Sequence, residues 1–331
     1  METVLEKTLK PYVGRLAPSP TGALHLGNVR TFMIAWLRAR SLGGRLVMRM
    51  EDLDHPRDKP GAAAAALEDL KWLGFDWDEE YVQSARRDLY GKALGRLREK
   101  RSSDGGALVY PCVCSRRDVE NVQSAPHAGE QLRYPGSCRG RFESWEEAFA
   151  AKGAPPCWRF RVEDCERVAF DDVFAGKVEF DVSAVLGDFP LARDEFGAGY
   201  TLAVVVDDAA MGVSEVVRGD DLLPATPAQI LLQRALGLPT PAYCHVPLVV
   251  GSDGRRLAKR HGDTRISAYR ACGVRPGAIV GRLAAGCGWA EAGEEISLED
   301  LLPRFSLASV PRAKFVWDGI PENLKSNGGT T

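Results

Sequence analysis

The fold of this chain is decided by Gly14-Arg15-Leu16-Ala17-Pro18-Ser19-Pro20-Thr21-Gly22-Ala23-Leu24-His25-Leu26-Gly27-Asn28. The order of residues predicts a strand, a loop broken by proline and glycine, and then the first turn of a helix. Such an arrangement binds nucleotide phosphates, because the backbone N–H groups and the dipole of the helix both attract anions. We therefore expect a phosphate-binding crevice at this point of the chain.

The residues that follow complete a βαβ unit. Apolar side chains recur at helical spacing and predict a helix that Gly43-Gly44 ends. These side chains are Val29, Phe32, Met33, Trp36 and Leu37. A second apolar run, Leu46-Val47-Met48, predicts the next strand. Since ligands bind outside the carboxyl ends of the strands in such a unit, we expect Arg15, His25 and Glu51 at the rim of the crevice.

Composition indicates an ordinary globular protein with two or more structural units. The chain has 331 residues, 45% of them hydrophobic and 27% charged, with a formal net charge of −2. This charge gives no support for a general polyanion binder, so any RNA contact has to come from local basic clusters. The candidate clusters are Arg116-Arg117, Arg133 to Arg141 and Arg255 to Arg260. Clusters of this kind are more often solvated faces than RNA sites.

No part of the sequence predicts contact with a membrane. The apolar runs are far shorter than the roughly twenty residues needed to cross a bilayer. The N-terminus also lacks the apolar core of a secretory signal. We therefore expect a cytoplasmic protein.

The middle of the chain differs in texture from its beginning. From Val109 to about Arg193, short alternating runs predict a small β-rich insertion. The apolar run Tyr200 to Val206 then predicts a buried strand, closed by Asp207-Asp208. A strand at Val213 to Arg218 comes next. The insertion therefore separates two parts of one nucleotide-binding fold.

The remainder of the chain completes the expected α/β architecture. A helix at about Thr226 to Leu236 and a strand at Cys244 to Val250 restore the alternation of strands and helices. The expected fold is a Rossmann-like domain split by an insertion and followed by a short helical region. The expected units are 1–108 and 194–261 for the two halves of this domain, 109–193 for the insertion, and 262–331 for the helical region and tail.

Three of the eight cysteines have the spacing of a metal site. In a reducing compartment, cysteines are better interpreted as thiols or metal ligands than as disulfides. The pattern Cys112-x-Cys114-x19-Tyr134-x3-Cys138 offers three thiolates to a structural zinc, which needs a fourth ligand. On chemical grounds alone His127 is a better fourth ligand than Tyr134. Three incidental cysteines are the alternative. The other five are expected to be small packing residues: Cys157, Cys165, Cys244, Cys272 and Cys287.

The start of the first helix carries groups that suit ATP. His25 offers a side-chain donor, Gly27 permits close approach of the backbone, and Asn28 adds an amide. The alternative is a helix cap with a packed histidine. Pro18 to Gly22 upstream and the basic run Arg256 to Arg260 downstream favour the phosphate site.

Several motifs resemble one protein family in the same order along the chain. Arg15 to Gly22 with His25-Leu26-Gly27-Asn28 resembles the HIGH region of class I aminoacyl-tRNA synthetases, in the form used by the glutamyl and glutaminyl branch. Val217-Arg218-Gly219-Asp220-Asp221-Leu222-Leu223 resembles a later element of that branch. Arg256-Leu257-Ala258-Lys259-Arg260 resembles its KMSKS loop, with Ala258 and Arg260 in place of both serines. The resemblance extends from about residue 12 to residue 325 and implies the class I catalytic domain.

The resemblance also implies roles for individual residues. Catalysis is assigned to His25 and Lys259. ATP, with Mg²⁺, is assigned to His25, Gly27, Asn28 and Lys259. Glutamate is assigned to Arg15, Leu16, Ala17, Pro18, Ser19, Glu51, Tyr200 and Arg218. Structural zinc is assigned to Cys112, Cys114, Tyr134 and Cys138. Taken without the resemblance, Arg15 and Glu51 lie on neighbouring strands and could simply pair with each other.

The implied reaction is adenylation of glutamate. The α-carboxylate attacks the α-phosphate of ATP and pyrophosphate leaves. Because this carboxylate is already ionised at neutral pH, no general base is needed. Catalysis then depends on positioning and on stabilisation of phosphate charge.

The length of the chain indicates which members of the branch it resembles. Only 72 residues follow Lys259, whereas full-length glutamyl-tRNA synthetases have a large anticodon-binding region there. We therefore expect no anticodon-binding domain. The spacing Tyr134-x3-Cys138 also resembles that of the truncated paralogues of these enzymes. Those paralogues imply transfer of glutamate, activated without tRNA, to queuosine at the wobble position of tRNA(Asp). The anticodon arm would enter where relatives hold the acceptor stem.

Other functions remain open from the residues. The chain could be a truncated glutamyl-tRNA synthetase that charges a tRNA 3′ end. It could be a non-catalytic tRNA-binding paralogue, or a nucleotidyltransferase that acts on a small molecule. A monomer is the default expectation.

Overall fold

The computed structural model describes residues 11–20, 22–53, 59–115, 117–119, 133–194, 197–255, 257 and 263–319. The strands, in chain order, are β1 (Val13–Leu16), β2 (Arg45–Met50), β3 (Glu79–Val82), β4 (Val109–Cys112), β5 (Cys157–Phe160), β6 (Arg167–Asp172), β7 (Gly176–Asp181), β8 (Phe189–Ala192), β9 (Glu215–Gly219), β10 (Ala242–Val246), β11 (Val249–Val250) and β12 (Phe315–Val316). The α-helices are α1 (Leu26–Ser41), α2 (Ala62–Trp72), α3 (Arg87–Arg98), α4 (Trp145–Lys152), α5 (Val182–Val185), α6 (Tyr200–Ala210), α7 (Thr226–Leu236), α8 (Ile266–Ala271), α9 (Pro276–Ala285) and α10 (Leu298–Leu301).

The predicted βαβ unit at the start of the chain is confirmed. Strands β1, β2 and β3 form a parallel sheet in that order, and α1 connects β1 to β2. After α1, Gly43 adopts a positive φ of 59°, which L residues rarely tolerate. A Cβ at Gly44 would lie 2.6 Å from the Tyr12 ring, so a larger residue at this position would clash with Tyr12. The double glycine therefore ends the helix and allows the return into β2.

A second sheet has the strand order β7-β6-β10-β9. Strands β9 and β10 are parallel over five residue pairs, whereas β6 meets β10 at the single pair Asp172 and Tyr243. The backbone N–H of Ser214 donates to the carbonyl of Val13 at 2.9 Å, which joins β1 to the start of β9. The carboxyl ends of β1, β2 and β9 consequently surround one cleft.

A small antiparallel sheet of β4, β5 and β8 lies between the two halves of the chain. The hairpin β6–β7 also falls inside 109–193, but β6 is hydrogen-bonded to β10 of the second sheet. Part of the segment that the sequence assigns to the insertion thus belongs to the same sheet as β9 and β10, which lie in the second half of the predicted Rossmann-like domain. The predicted domain boundaries stay a prediction.

The strand predicted at Tyr200 to Val206 is wrong. This segment is the first part of helix α6, and Asp207 and Asp208 lie within the same helix instead of closing a strand. An unbroken apolar run has neither helical nor strand periodicity, so a buried helix and a buried strand look alike. Tertiary packing decides between them here, because α6 buries Leu202, Ala203 and Val205 almost completely.

The single strand predicted at Cys244 to Val250 is also wrong in part. Pro247 and Leu248 separate β10 from β11, which belong to different sheets. Proline lacks the N–H group that a central strand needs, and this favours the break. The predicted helix at Thr226 to Leu236 is confirmed as α7.

Helix α1 lies at the centre of the larger hydrophobic core. Its buried side chains pack with those of β1, β2, α9 and the segment around β12. Leu26, Met33 and Leu37 are fully buried there. Within the described ranges, no helix has both the length and the apolar character required to cross a membrane. The position of the helix that begins the cleft is thus determined by the core.

Candidate functional site

A cavity of about 580 Å³ opens at the carboxyl ends of β1, β2 and β9. Most residues predicted to bind ATP or glutamate line it together: Arg15, Ala17, Pro18, Ser19, His25, Gly27, Asn28, Glu51, Tyr200 and Arg218. Leu16 is not among them, because its side chain is fully buried in the core. Lys259, with Ala258 and Arg260 beside it, lies outside the described residues. The cavity therefore unites residues that are as far apart in sequence as Arg15 and Arg218.

The N-terminus of α1 forms one wall of the cavity. His25 occupies the N-cap position in an extended conformation, and its side chain makes no capping hydrogen bond. A Cβ at Gly27 would lie 3.1 Å from the imidazole, so a larger residue would displace the His25 ring. The N–H of Leu26 donates to Thr264, and the N–H of Ile266 donates to Leu24. The start of α1 is thereby joined to the chain that follows the KMSKS-like segment.

Arg15 is a buried cation with unused donors. Its Nη1 donates to the carbonyl of Val217 at 2.8 Å. Its Nε lies 3.9 Å from Oδ1 of Asp208 and has no hydrogen-bond partner among the described residues. Burial lowers the pKa of Arg15; the charge of Asp208 opposes that shift, while the nearby charges of Arg49 and Arg218 add to it. A ligand carboxylate would relieve this repulsion and fill the donors.

Arg218 on β9 is held by neutral partners. Its Nε donates to Nε2 of His245 at 2.9 Å, and its Nη2 donates to the hydroxyl of Thr226 at 2.8 Å. In the described part of the chain, no carboxylate forms an ion pair with Arg218, and Nη1 has no hydrogen bond. This side chain therefore brings a full positive charge and a vacant donor to the cavity.

Glu51 is held by an arginine that the motif analysis did not single out. Arg49 donates from Nη2 to Oε1 of Glu51 at 3.0 Å and from Nη1 to Oδ1 of Asp208 at 2.6 Å. The alternative that Arg15 pairs with Glu51 is wrong. Burial raises the pKa of Glu51, while the charges of Arg49 and Arg15 oppose that rise. The feature of the sequence that could have indicated this buried ion pair is the position of Arg49 within the otherwise apolar end of β2.

Helix α6 connects the cleft to a second set of buried polar groups. Tyr200 begins the helix and lines the cavity, and Asp208 lies about two turns later. The neighbouring Asp207 accepts hydrogen bonds from Arg86 at 2.7 Å and from Tyr90 at 2.7 Å. The incorrect strand prediction did not allow for these contacts. A strand rises more than twice as far per residue as a helix, so it would place the two aspartates much farther from Tyr200.

The sulfur atoms of Cys112, Cys114 and Cys138 lie within 4.8 Å of one another. The hydroxyl of Tyr134 is 3.2 Å from Sγ of Cys112 and 3.6 Å from Sγ of Cys114. Zinc–sulfur bonds of about 2.3 Å give a tetrahedron with edges of roughly 3.8 Å, and the 3.6 Å between Sγ of Cys114 and Sγ of Cys138 is close to such an edge. The cluster can therefore hold a metal. The other candidate ligand, His127, lies outside the described residues.

Two further residues, Cys157 and Arg159, lie beside this cluster. Cys157 lies opposite Cys112 in the β4–β5 pair, although its spacing in sequence gave no sign of a role there. Arg159 donates from Nε to Sγ of Cys112 at 3.1 Å, and its guanidinium lies 3.9 Å from the centre of the Tyr134 ring. Hydrogen bonds from Cys138 and Cys157 lower the pKa of Cys112, and Arg159 lowers it further. The surroundings thus favour a thiolate.

Part of the basic cluster at Arg133 to Arg141 has structural partners. Arg139 donates to the buried carboxylate of Asp188 at 2.5 and 2.7 Å. Arg133 donates to the carbonyl of Ser183 at 2.7 Å. These contacts fix the insertion internally. Such partners lessen the case for RNA binding by this cluster.

Comparison with known proteins identifies the family. The family model described as tRNA synthetases class I (E and Q), catalytic domain, matches residues 12–310. A Glutamyl-Q tRNA(Asp) synthetase from Symbiobacterium thermophilum is 47% identical over 90% of this chain and 94% of that protein. A Glutamate--tRNA ligase from Aquifex aeolicus is 40% identical over 95% of this chain but only 65% of its own length.

A solved structure agrees with these matches. The glutamate tRNA ligase from Elizabethkingia meningosepticum, crystallised in complex with its amino acid, superimposes with a TM-score of 0.78 at 27% identity. The match covers 93% of this chain and 67% of that one. This chain therefore belongs to the class I tRNA synthetases of the E and Q type, among the relatives named Glutamyl-Q tRNA(Asp) synthetase.

Proposed function

We propose that this chain activates glutamate with ATP in the absence of tRNA and transfers it to queuosine at the wobble position of tRNA(Asp). One observation carries the amino-acid specificity: two buried arginines, Arg15 and Arg218, bring unused donors to one cavity that Glu51 also lines. The relatives named Glutamyl-Q tRNA(Asp) synthetase, which match over most of this chain, support the choice of acceptor.

Glutamate carries two carboxylates and one ammonium group, and the cavity offers the opposite charges. Arg15 and Arg218 bind the carboxylates, because a guanidinium is always charged and presents a fork of donors. Glu51 binds the α-ammonium group. The hydroxyls of Ser19 and Tyr200 add hydrogen bonds, and Ala17 and Pro18 contribute the wall of the cavity.

ATP occupies the part of the cavity at the start of α1. His25, Gly27, Asn28 and the N-terminal turn of the helix hold its phosphates, with Lys259 and with the Mg²⁺ that accompanies ATP. A carboxylate oxygen of glutamate forms a bond to the α-phosphorus as the bond to the bridging oxygen of pyrophosphate breaks. A hydroxyl of the queuosine ring then attacks the carbonyl carbon, an ester forms and AMP leaves.

The acceptor RNA would contact the insertion and the helical C-terminal segment. We propose zinc as the metal of Cys112, Cys114, Tyr134 and Cys138, where it would link β4 to the turn that carries Cys138. The site is structural in this proposal, because its residues are not among those that line the cavity. The anticodon arm as ligand, the monomeric state, the cytoplasmic location and the absence of an anticodon-binding domain stay predictions.

The first step is tested by ATP–pyrophosphate exchange without tRNA. We expect exchange with glutamate and little with glutamine. Arg15→Met should abolish exchange, whereas Arg40→Met should not, because Arg40 is on the outer side of α1 and pairs with Asp76 and Asp78. Exchange that requires tRNA, or that survives in Arg15→Met, contradicts the proposal.

A further inference from the structure

Three side chains from three neighbouring strands form a buried line of hydrogen bonds that ends at the cleft. Asp172 is the last residue of β6, His245 lies on β10, and Arg218 lies on β9. Oδ2 of Asp172 is 2.6 Å from Nδ1 of His245, and Nε2 of His245 is 2.9 Å from Nε of Arg218. The side chains of Asp172 and His245 are fully buried.

The chemistry of arginine determines the state of the imidazole in this line. Arginine has only donors, so Nε2 of His245 has to accept the hydrogen bond from Arg218. The proton of a neutral imidazole then lies on Nδ1 and is donated to Asp172. Burial lowers the pKa of His245, and the charge of Arg218 lowers it further, while the bond to Asp172 opposes the change. Histidine is therefore neutral here, in a single tautomer.

Asp172 is itself held in place by backbone groups. Its Oδ1 accepts hydrogen bonds from the N–H groups of Phe174 at 3.0 Å, Ala175 at 2.7 Å and His245 at 3.2 Å. Burial acts to raise the pKa of Asp172, but the side-chain bond to His245 and the bonds from the N–H groups of Ala175 and His245 outweigh it, so the pKa is lowered. The carboxylate is thus an ionised and rigid acceptor for the proton on Nδ1 of His245.

These hydrogen bonds also leave the positive charge of Arg218 without a neutralising carboxylate. A carboxylate in the position of His245 would form a buried ion pair with Arg218 and lower its attraction for a ligand. A neutral imidazole orients the guanidinium without cancelling its charge, and Thr226 fixes a second nitrogen. Of the three guanidinium nitrogens of Arg218, Nη1 is then the one without a hydrogen bond to the described residues, and Arg218 lines the cavity.

We propose that His245, held in one tautomer by Asp172, is a positioning and specificity-determining residue. It orients the guanidinium of Arg218, whose positive charge it does not neutralise, toward a carboxylate of the substrate. This inference rests on the proposed function, because it takes glutamate as the ligand of Arg218. It assigns to the β6–β7 hairpin a role in amino-acid recognition, since that hairpin supplies Asp172.

The test compares variants by ATP–pyrophosphate exchange with glutamate. His245→Ala and Asp172→Asn should each raise KM for glutamate about tenfold or more. The first removes the acceptor that orients Arg218, and the second removes the carboxylate that keeps the proton of His245 on Nδ1. KM for ATP should change little. His245→Gln should restore much of the affinity, since its amide oxygen can accept from Arg218. His245→Glu should bind glutamate worst, because the new carboxylate would pair with Arg218.

Tyr243→Phe is the matched control. It removes a buried hydroxyl that accepts from Gln233, beside the same line of residues, but keeps the ring under Arg218. We expect its KM for glutamate to stay within about twofold of that of the unmodified chain. An equal loss in Tyr243→Phe and Asp172→Asn would mean a general packing defect and would overturn the inference.

Nitrogen NMR of His245 supplies a second readout that does not depend on turnover. In the unmodified chain Nδ1 should carry the proton and Nε2 should not. Asp172→Asn should remove that preference. A proton on Nε2 in the unmodified chain, or unchanged KM in both His245→Ala and Asp172→Asn, overturns the inference while glutamate-dependent exchange persists. Absence of glutamate-dependent exchange in the unmodified chain would instead refute the proposed function.

Discussion

Arg49 lies between two buried carboxylates and donates to Glu51 at 3.0 Å and to Asp208 at 2.6 Å. Strand β2 and helix α6 are thereby joined directly below the cleft. The arrangement holds Glu51 at the rim while Arg49 itself stays fully buried. The proposed recognition of the substrate ammonium group by Glu51 therefore depends on an arginine that is not among the residues lining the cavity.

Replacement of Arg49 by methionine should destabilise the protein strongly. The change leaves Glu51 and Asp208 buried near each other without their shared cation, at a cost of about 3–5 kcal/mol in the free energy of unfolding. Urea denaturation measures this cost. The control is Arg167→Met, which removes an exposed ion pair with Glu179 and should cost at most about 1 kcal/mol. Equal urea midpoints for the two variants would contradict the role of Arg49.

Affinity for glutamate should fall at low pH because of Glu51. Its pKa is raised above the ordinary 4.5, chiefly by burial, so this carboxylate takes up a proton at a higher pH than an exposed glutamate does. As the pH falls through that raised pKa, Glu51 loses the negative charge that we propose binds the ammonium group, and KM for glutamate should rise. The KM–pH profile measures this. Glu51→Gln should have a high KM that is nearly constant over the same range, and a parallel profile in that variant would exclude Glu51 as the cause.

The metal site should contain one zinc ion per chain. Cys138→Ser should abolish zinc binding, and Tyr134→Phe should weaken it, as measured by metal analysis and competition with a chelator. Arg159→Gln should also weaken binding without removing a ligand, because Arg159 donates to Cys112. Cys272→Ser, at an exposed cysteine, serves as the control. Zinc that survives in Tyr134→Phe but is lost in His127→Ala would identify His127 as the fourth ligand.

Lys259→Ala should reduce ATP–pyrophosphate exchange at least about a hundredfold. The lysine is expected to stabilise charge that develops on the phosphates, and loss of such a group has an effect of this size. The thermal unfolding midpoint should not change. Lys314→Ala, at an exposed lysine, should keep full activity. Near-normal exchange in a folded Lys259→Ala variant would remove Lys259 from the mechanism.

The parts of the fold that sequence predicted are those with clear local signals. The helix α1 has helical spacing and a double-glycine stop, and α7 has a proline, Pro227, in its first turn and ends before Gly237. Helix α6 could not be recognised, because its apolar run fits a buried strand equally well. The site shows the same division. Arg15 and Glu51 lie in recognisable motifs, so the sequence could single them out, and both line the cavity. Arg49 was missed because its role depends on a tertiary partner.

His245 and Asp172 illustrate why the rest of the site was inaccessible from sequence. Each is a single polar residue at the end of, or within, an ordinary strand, and 72 residues separate them from each other along the chain. Their relation to Arg218 arises only when β6 and β9 flank β10 in one sheet. A lone histidine in an apolar strand is a weak signal that becomes specific only when its neighbours are known.

Transfer of glutamate to tRNA(Asp) tests the central claim most directly. The acceptors are tRNA(Asp) with queuosine and tRNA(Asp) with guanine at the same position, each with and without the 3′-terminal adenosine. Glutamate should be attached only to the tRNA that carries queuosine, and removal of the terminal adenosine should make no difference. Attachment that is independent of queuosine, or that is lost with the terminal adenosine, would contradict the claim and identify an enzyme that charges the 3′ end.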